Sequence, residues 1–277
     1  MPHLPDDHSS FASAPRETAI RRLFDEQGAS LFSLALRFCG DRQDAEDLVQ
    51  EVFLQAYRGW ASFQGRSSEK TWLYTIAARA CQRMHRKRAG EPAHVGSLEE
   101  LLPFSEPRIA VIAQDQEGPL QAQIRAEAQQ RVEAAIAALP DEFRIPLILK
   151  EIVGFSVPEV AQVLDLQEGT VKSRIHRARL RIRIAVDSAL PRAPYAAPPP
   201  AYPMQVCLDL LQAKQEALDR GVPFRSEVIC ERCRSVFSSL DLAQDACRDL
   251  AAGALPEGLR ERLAAALRSE AWPPKSH

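Results

Sequence analysis

The chain has 277 residues, 45% hydrophobic and 26% charged, with a formal net charge of −2 and six cysteines. That length builds two or three small cores rather than one large one, and no stretch approaches the roughly 18 apolar residues of a membrane span. The opening, MPHLPDDHSSFASAP, has neither a basic start nor an apolar core, so no secretory signal is read there, no membrane partner is expected and a cytosolic location is. In that reducing compartment, clustered thiols point to metal or redox chemistry rather than structural disulfides.

The first block, 15–89, carries apolar residues at helical spacing, as in Leu31, Leu34, Ala35 and Phe38 or Leu48, Val49, Val52, Phe53 and Ala56. Its acids gather at Asp41, Asp44, Glu46, Asp47 and Glu51, a pattern that fits a protein partner. Its end is basic, with Arg79, Arg83, Arg86, Lys87 and Arg88 and no acid between them. Turn residues and scattered apolars mark 90–121 as a linker that docks a short helix. The second block, 122–188, ends in another basic run: Lys172, Arg174, Arg177, Arg179, Arg181 and Arg183, with His176 among them. Two basic runs in separate blocks point to one polyanion that both touch. A proline-rich spacer, 189–203, precedes the third block, 204–270. No run alternates as a strand does, so the fold class is all-α.

Within the second block, SVPEVAQVLDLQEGTVKSRIHRARLRIR reads as a helix-turn-helix. Ser156 is the expected N-cap and Pro158 falls in the first turn, where its missing N–H is harmless. In the second helix Val171, Ile175, Ala178 and Ile182 face inward. Lys172, Ser173, Arg174, Arg177 and Arg179 are left facing outward. Such a helix fits the major groove, its first residues reaching base edges and its later arginines meeting phosphates.

The segment ALPDEFRIPLILKEIVGFSVPEVAQVL with EGTVKSRIHRAR resembles region 4 of the extracytoplasmic-function (ECF) sigma factors of bacterial RNA polymerase. One departure is Asp165, in a turn where that family often has glycine; Asp tolerates left-handed backbone better than most residues. The resemblance implies that Thr170, Lys172, Ser173, Arg174, His176, Arg177 and Arg179 read a promoter −35 element. In the first block RQDAEDLVQEVFLQAYRGWASF resembles region 2.2, which implies that Asp44, Asp47, Leu48, Gln50, Glu51 and Phe53 bind the polymerase clamp helices. EKTWLYTIAARACQRMHRKR resembles regions 2.3 and 2.4, which open and read the −10 element. Lys70, Thr71, Trp72, Tyr74, Arg79 and Arg83 are the corresponding candidates, since aromatic faces stack on unpaired bases for ~1–3 kcal/mol each and cations track the backbone. For Trp72 and Tyr74 core packing is the competing reading. The implied partners are core polymerase, through clamp helices and flap, and promoter DNA. No Gly-rich phosphate loop, HExxH or serine-histidine-acid set is present, and a sigma factor is not an enzyme.

Beyond the spacer, Cys207, Cys230, Cys233 and Cys247 are separated by 22, 2 and 13 residues. Three readings stand: a metal site, a redox dithiol, or packing. Four of six cysteines within 41 residues favour a metal held by thiolates, zinc or the softer Cu(I) and Cd(II). Cys39 and Cys81, on helices among apolar neighbours, read as small buried hydrophobes. The stretch from CLDLLQAKQ to ICERCRSVF also resembles the helical zinc-binding domain of anti-sigma factors, in which a histidine stands four residues before the first cysteine of the CxxC pair. Here that residue is Ser226, which leaves Cys207 and Cys247 to complete the ligand set. A sigma factor ending in such a domain resembles the metal-responsive sigma factors of myxobacterial type, which implies control by metal without a separate anti-sigma protein. A structural zinc and a thiol redox switch remain as alternatives.

Overall fold

The computed structural model describes residues 16–88, 101–102, 108–109, 119–188, 190–250, 255–256 and 258–268. Among them are ten α-helices: α1 (Arg16–Cys39), α2 (Arg42–Gly59), α3 (Glu69–Arg88), α4 (Pro119–Ala137), α5 (Asp141–Glu151), α6 (Val157–Leu164), α7 (Glu168–Asp187), α8 (Met204–Arg220), α9 (Glu231–Asp249) and α10 (Leu259–Arg268). The described residues contain no strand, as the sequence periodicity requires of an all-α chain. No helix among them is long and apolar enough to cross a membrane. Most of the linker read at 90–121 lies outside the described residues.

Chain contacts define two compact units, one of residues Met1–Ala89, Gln162–Leu164 and Ala252–His277, the other of Gly90–Ala161 and Asp165–Ala251. The residues read as a third block are therefore shared: α8 and α9 belong with the helix-turn-helix, α10 with the first block.

In the first unit α1, α2 and α3 form a three-helix core around Ile20, Leu23, Phe24, Leu31, Val52 and Phe53, with Phe24 and Phe53 edge to face at 5.0 Å. Asp41 caps α2, its carboxylate accepting the Asp44 N–H at 3.0 Å. The short α10 packs on α2 with Leu259 and Leu263 buried. Its cations flank that apolar seam: Arg260 pairs with Asp25 and lies 5.5 Å from the Phe24 ring centre, and Arg262 pairs with Glu46.

In the second unit α7 lies against α4 and α5, and α9 packs on both α4 and α7. The cap expected at α6 is present as a full capping box. The Ser156 hydroxyl accepts from the Glu159 N–H, and the Glu159 carboxylate accepts from the Ser156 N–H at 2.7 Å. Asp165 ends α6 in the left-handed region, φ 54° and ψ 50°, the one non-glycine there among the described residues. That conformation lets the Asp165 and Leu166 amides both reach the Ala161 carbonyl and turns the chain into α7. The proline-rich spacer is held against its own unit rather than running free. Leu190 and Ala193 are buried, the Ala193 N–H donates to the Ile109 carbonyl at 3.0 Å, and Arg232 of α9 donates to the Pro198 carbonyl at 3.1 Å.

The turn yields a stability test. Ser156→Ala removes a reciprocal cap and costs about 1 kcal/mol in urea unfolding followed by circular dichroism. Asp165→Gly is neutral or stabilising, whereas Asp165→Val, β-branched at positive φ, costs more than about 1 kcal/mol.

Candidate nucleic-acid interface and cysteine cluster

Helix α7 buries Val171, Ile175, Ala178 and Ile182, the four residues expected inward. Thr170, Lys172 and Ser173 are exposed near its N-terminus, and Arg174, His176 and Arg177 are half-buried. Arg174 donates to Glu142 of α5 at 3.3 Å. Arg179 corrects the outward assignment: it is 5% exposed and turned into the protein. Arg183 is likewise buried, 3.8 Å from Asp187. Arg179 lies at i+4 from Ile175 and i−3 from Ile182, at the edge of the inward stripe, and residues of α5 and α8 close over it while α9 packs on α7.

Glu151, Asp219 and Gln215 hold the Arg179 guanidinium. Its Nε donates to Glu151 Oε1 at 2.9 Å, while Nη1 donates to Asp219 Oδ1 at 2.7 Å and Gln215 Oε1 at 3.2 Å. Burial acts against the charge, but the Glu151 and Asp219 carboxylates outweigh it and hold Arg179 more firmly protonated than in water. The second Asp219 oxygen, Oδ2, is 2.9 Å from His176 Nε2, so one carboxylate of α8 bridges two residues of α7. Burial raises the Asp219 pKa, yet the His176 and Arg179 contacts prevail and hold it below the ordinary carboxylate range. Gln215 donates to the His176 carbonyl at 3.2 Å, and Gln244 of α9 donates to the other Glu151 oxygen at 3.0 Å. Sequence reading missed Glu151, Gln215, Asp219 and Gln244. One signal was available: Glu151, next to Lys150, is an acid set between the apolar pairs Ile148–Leu149 and Ile152–Val153, where an unpaired buried acid is costly.

On α3, Trp72, Arg79 and Arg83 lie at i, i+7 and i+11 and share one face. Arg79 and Arg83 are exposed and Lys70 is half-exposed. Trp72 is half-buried against Phe63 and Trp60, with ring centres 5.1 and 5.8 Å away. Two candidates are corrected. Tyr74 is fully buried, because with Ala77 and Cys81 it forms the core stripe of α3, and burial pushes its phenol pKa well up. Thr71 is buried at the helix start, bonded through its N–H and hydroxyl to Ser68. The side chains of Arg86, Lys87 and Arg88 lie outside the described residues. On α2 the same sorting applies. Leu48 and Phe53 are buried in the core, while Asp44, Asp47 and Glu51 share one face at i, i+3 and i+7, away from Phe53, with Gln50 half-exposed beside them.

The thiols divide unevenly. Cys230 is the N-cap of α9, Cys233 lies within its first turn and Cys207 near the start of α8. Burial raises the Cys230 thiol, but the amides of Cys233, Ala201 and Arg232 prevail and lower its pKa; this is the helix N-terminus favouring a thiolate. Burial first, then the neighbouring Cys230 and Cys207 sulfurs, pushes Cys233 strongly the other way. Those three thiols therefore adjoin. Cys247 does not join them: it is 14 residues beyond Cys233 on the same unbroken helix, about 21 Å along the axis. Sulfurs on one tetrahedral ion lie within about 4 Å of each other, so Cys247 cannot share an ion with the other three. Among the described residues, no group of three or more His, Cys, Asp or Glu is arranged to hold a metal ion as it stands. By donor type, three adjoining thiols with one biased toward thiolate suit a soft ion. Cys81 is buried as expected, and Cys39 is half-buried.

Comparison with known proteins bears on this architecture. The family description "Sigma-70 region 2" matches residues 23–91, and "Sigma-70, region 4" matches residues 129–182. The RNA polymerase sigma-H factor of Pseudomonas aeruginosa is 37% identical over 160 residues, 58% of this chain and 80% of that protein. The ECF RNA polymerase sigma factor SigW of Bacillus subtilis is 32% identical over 170 residues, 60% of this chain and 88% of that protein. Among solved structures, CnrH in complex with the cytosolic domain of CnrY aligns with a TM-score of 0.46 at 24% identity, covering 66% of this chain and 96% of that one. With both regions matched in order and sequence similarity running through most of these relatives' length, the chain belongs to the ECF family of RNA polymerase sigma factors.

Proposed function

We propose that this ECF sigma factor is controlled by its own C-terminal tail, through soft-metal binding at Cys207, Cys230 and Cys233. Core polymerase and promoter DNA are the partners of sigma factors as a class, and the chemistry of transcription belongs to the polymerase. In this reading Asp44, Asp47, Gln50 and Glu51 bind the clamp helices, and Trp72, Arg79 and Arg83 meet the opened −10 strand. The exposed start of α7, Thr170, Lys172 and Ser173 with Arg174 and Arg177, reads the −35 element beside the flap. The fused tail takes the place of a separate anti-sigma protein.

The observation that carries metal control is the meeting of three thiols on the two helices, α8 and α9, whose other residues hold α7. When bound, a Zn(II), Cu(I) or Cd(II) ion supplies a cross-link between α8 and α9; the chain supplies Cys230, already biased toward thiolate, and its two neighbours. A thiol redox switch is the second reading. It is favoured by the asymmetry of the CxxC pair, a low-pKa cysteine at a helix N-terminus followed by a high-pKa one.

Transcription of a genomic fragment pool by core polymerase is expected to start at a shared pair of promoter elements only when the chain is added. No chain-dependent start under any metal condition overturns the sigma assignment. Cd(II) titration of the reduced protein, followed by the ultraviolet thiolate-to-metal band, is expected to saturate at one equivalent. Cys207→Ser and Cys230→Ser abolish it, and Cys247→Ser leaves it intact. If Cys230→Ser/Cys233→Ser keeps full metal response in transcription, the sensor reading fails. At neutral pH iodoacetamide labels Cys230 well before Cys233, and its rate holds as pH falls below the usual thiol range; equal rates contradict the thiolate at Cys230.

A further inference from the structure

We propose that the recognition helix α7 is masked from DNA by α8, with Asp219 bonded to the flank of α7 at His176 and Arg179 where a phosphate would otherwise approach. The inference rests on the sigma assignment but not on the metal site.

Geometry carries it. Both oxygens of the Asp219 carboxylate are used on α7, one at 2.7 Å from Arg179 Nη1 and the other at 2.9 Å from His176 Nε2. A carboxylate spanning two basic groups at i and i+3 of a helix presents to them the charge and acceptor pattern of a phosphate. Gln215, one turn earlier on the same face of α8, adds a second hold by accepting from Arg179 and donating to the His176 carbonyl. Arg179 is thereby removed from solvent, in a helix whose N-terminal residues remain exposed. Steric size gives the same sign. The major groove is about 12 Å wide and a helix with its side chains fills 10–12 Å of it, leaving no room for a second chain bonded to the flank at His176. Removal of the mask does not strand a buried charge, because Glu151 of α5 keeps its own bond to Arg179 Nε at 2.9 Å. The buried guanidinium therefore keeps one carboxylate partner when α8 leaves.

The experiment compares full-length protein with Asp219→Asn, an isosteric change that removes the charge. Binding to a 30-base-pair duplex of arbitrary sequence is followed by fluorescence anisotropy from low to moderate salt. Asp209→Asn is the control: it makes the same charge change at an exposed position on α8. Asp219→Asn is expected to bind about tenfold tighter at low salt than the control, with a salt slope steeper by about one to two released ions. Equal affinity of the two variants overturns the mask. Hydrogen exchange on the unmodified protein gives a reading that no folding defect affects. Saturating duplex is expected to speed exchange in 205–220 while protecting 170–178, and unchanged exchange in 205–220 overturns the proposal. Neither readout uses polymerase or metal, so failure here is distinct from failure of the sigma or metal-control readings.

Discussion

A buried arginine on α7, the second helix of the helix-turn-helix, is the constraint on which the second unit depends. Taking the Arg179 guanidinium out of water costs several kcal/mol unless charge and hydrogen bonds are returned to it, and removing one partner of such a pair typically costs about 3–5 kcal/mol. Two carboxylates meet that demand, Glu151 from α5 and Asp219 from α8, with Gln215 accepting from Arg179 and Gln244 donating to Glu151. The packing of α9 against α4 and α7 follows from the same requirement, since it excludes water from the network. Region 4 and the tail thus share one polar core rather than two apolar ones laid side by side.

The division of labour within the first unit is simpler. Three helices bury a continuous apolar core, and the groups left over sort by helical phase: acids on the far side of α2, an aromatic and two arginines along one face of α3. Segregation of that kind allows a single small domain to meet a protein with one surface and a nucleic acid with another. The tail contributes here too, through the apolar seam and flanking arginines of α10.

Much of this was legible in the residues. Helical periodicity gave the fold class, the Ser156 cap, the turn at Asp165 and the four inward residues of α7, because each depends on local geometry alone. Tyr74, Thr71, Leu48 and Phe53 were misplaced for a specific reason: family motifs mix core and contact residues, and only the phase of the helix separates them. Arg179 was misplaced for a deeper one. Its position at the edge of the inward stripe is decided by neighbours the local sequence does not contain: α8 and α9, 25 residues or more downstream of it, turn that edge into an interior. Cys247 failed on distance, since spacing along a chain says nothing about separation until the chain is known to be one straight helix.

Cys207 and Asp219 occupy opposite ends of α8, twelve residues apart, about 18 Å along a rigid rod. A rod transmits rotation: a tilt of about 10° pivoting at the thiol end swings the carboxylate end by roughly 3 Å, enough to carry a 2.7–2.9 Å hydrogen bond out of range. The helix has the geometry of a lever, with its fulcrum among sulfurs and its tip on α7.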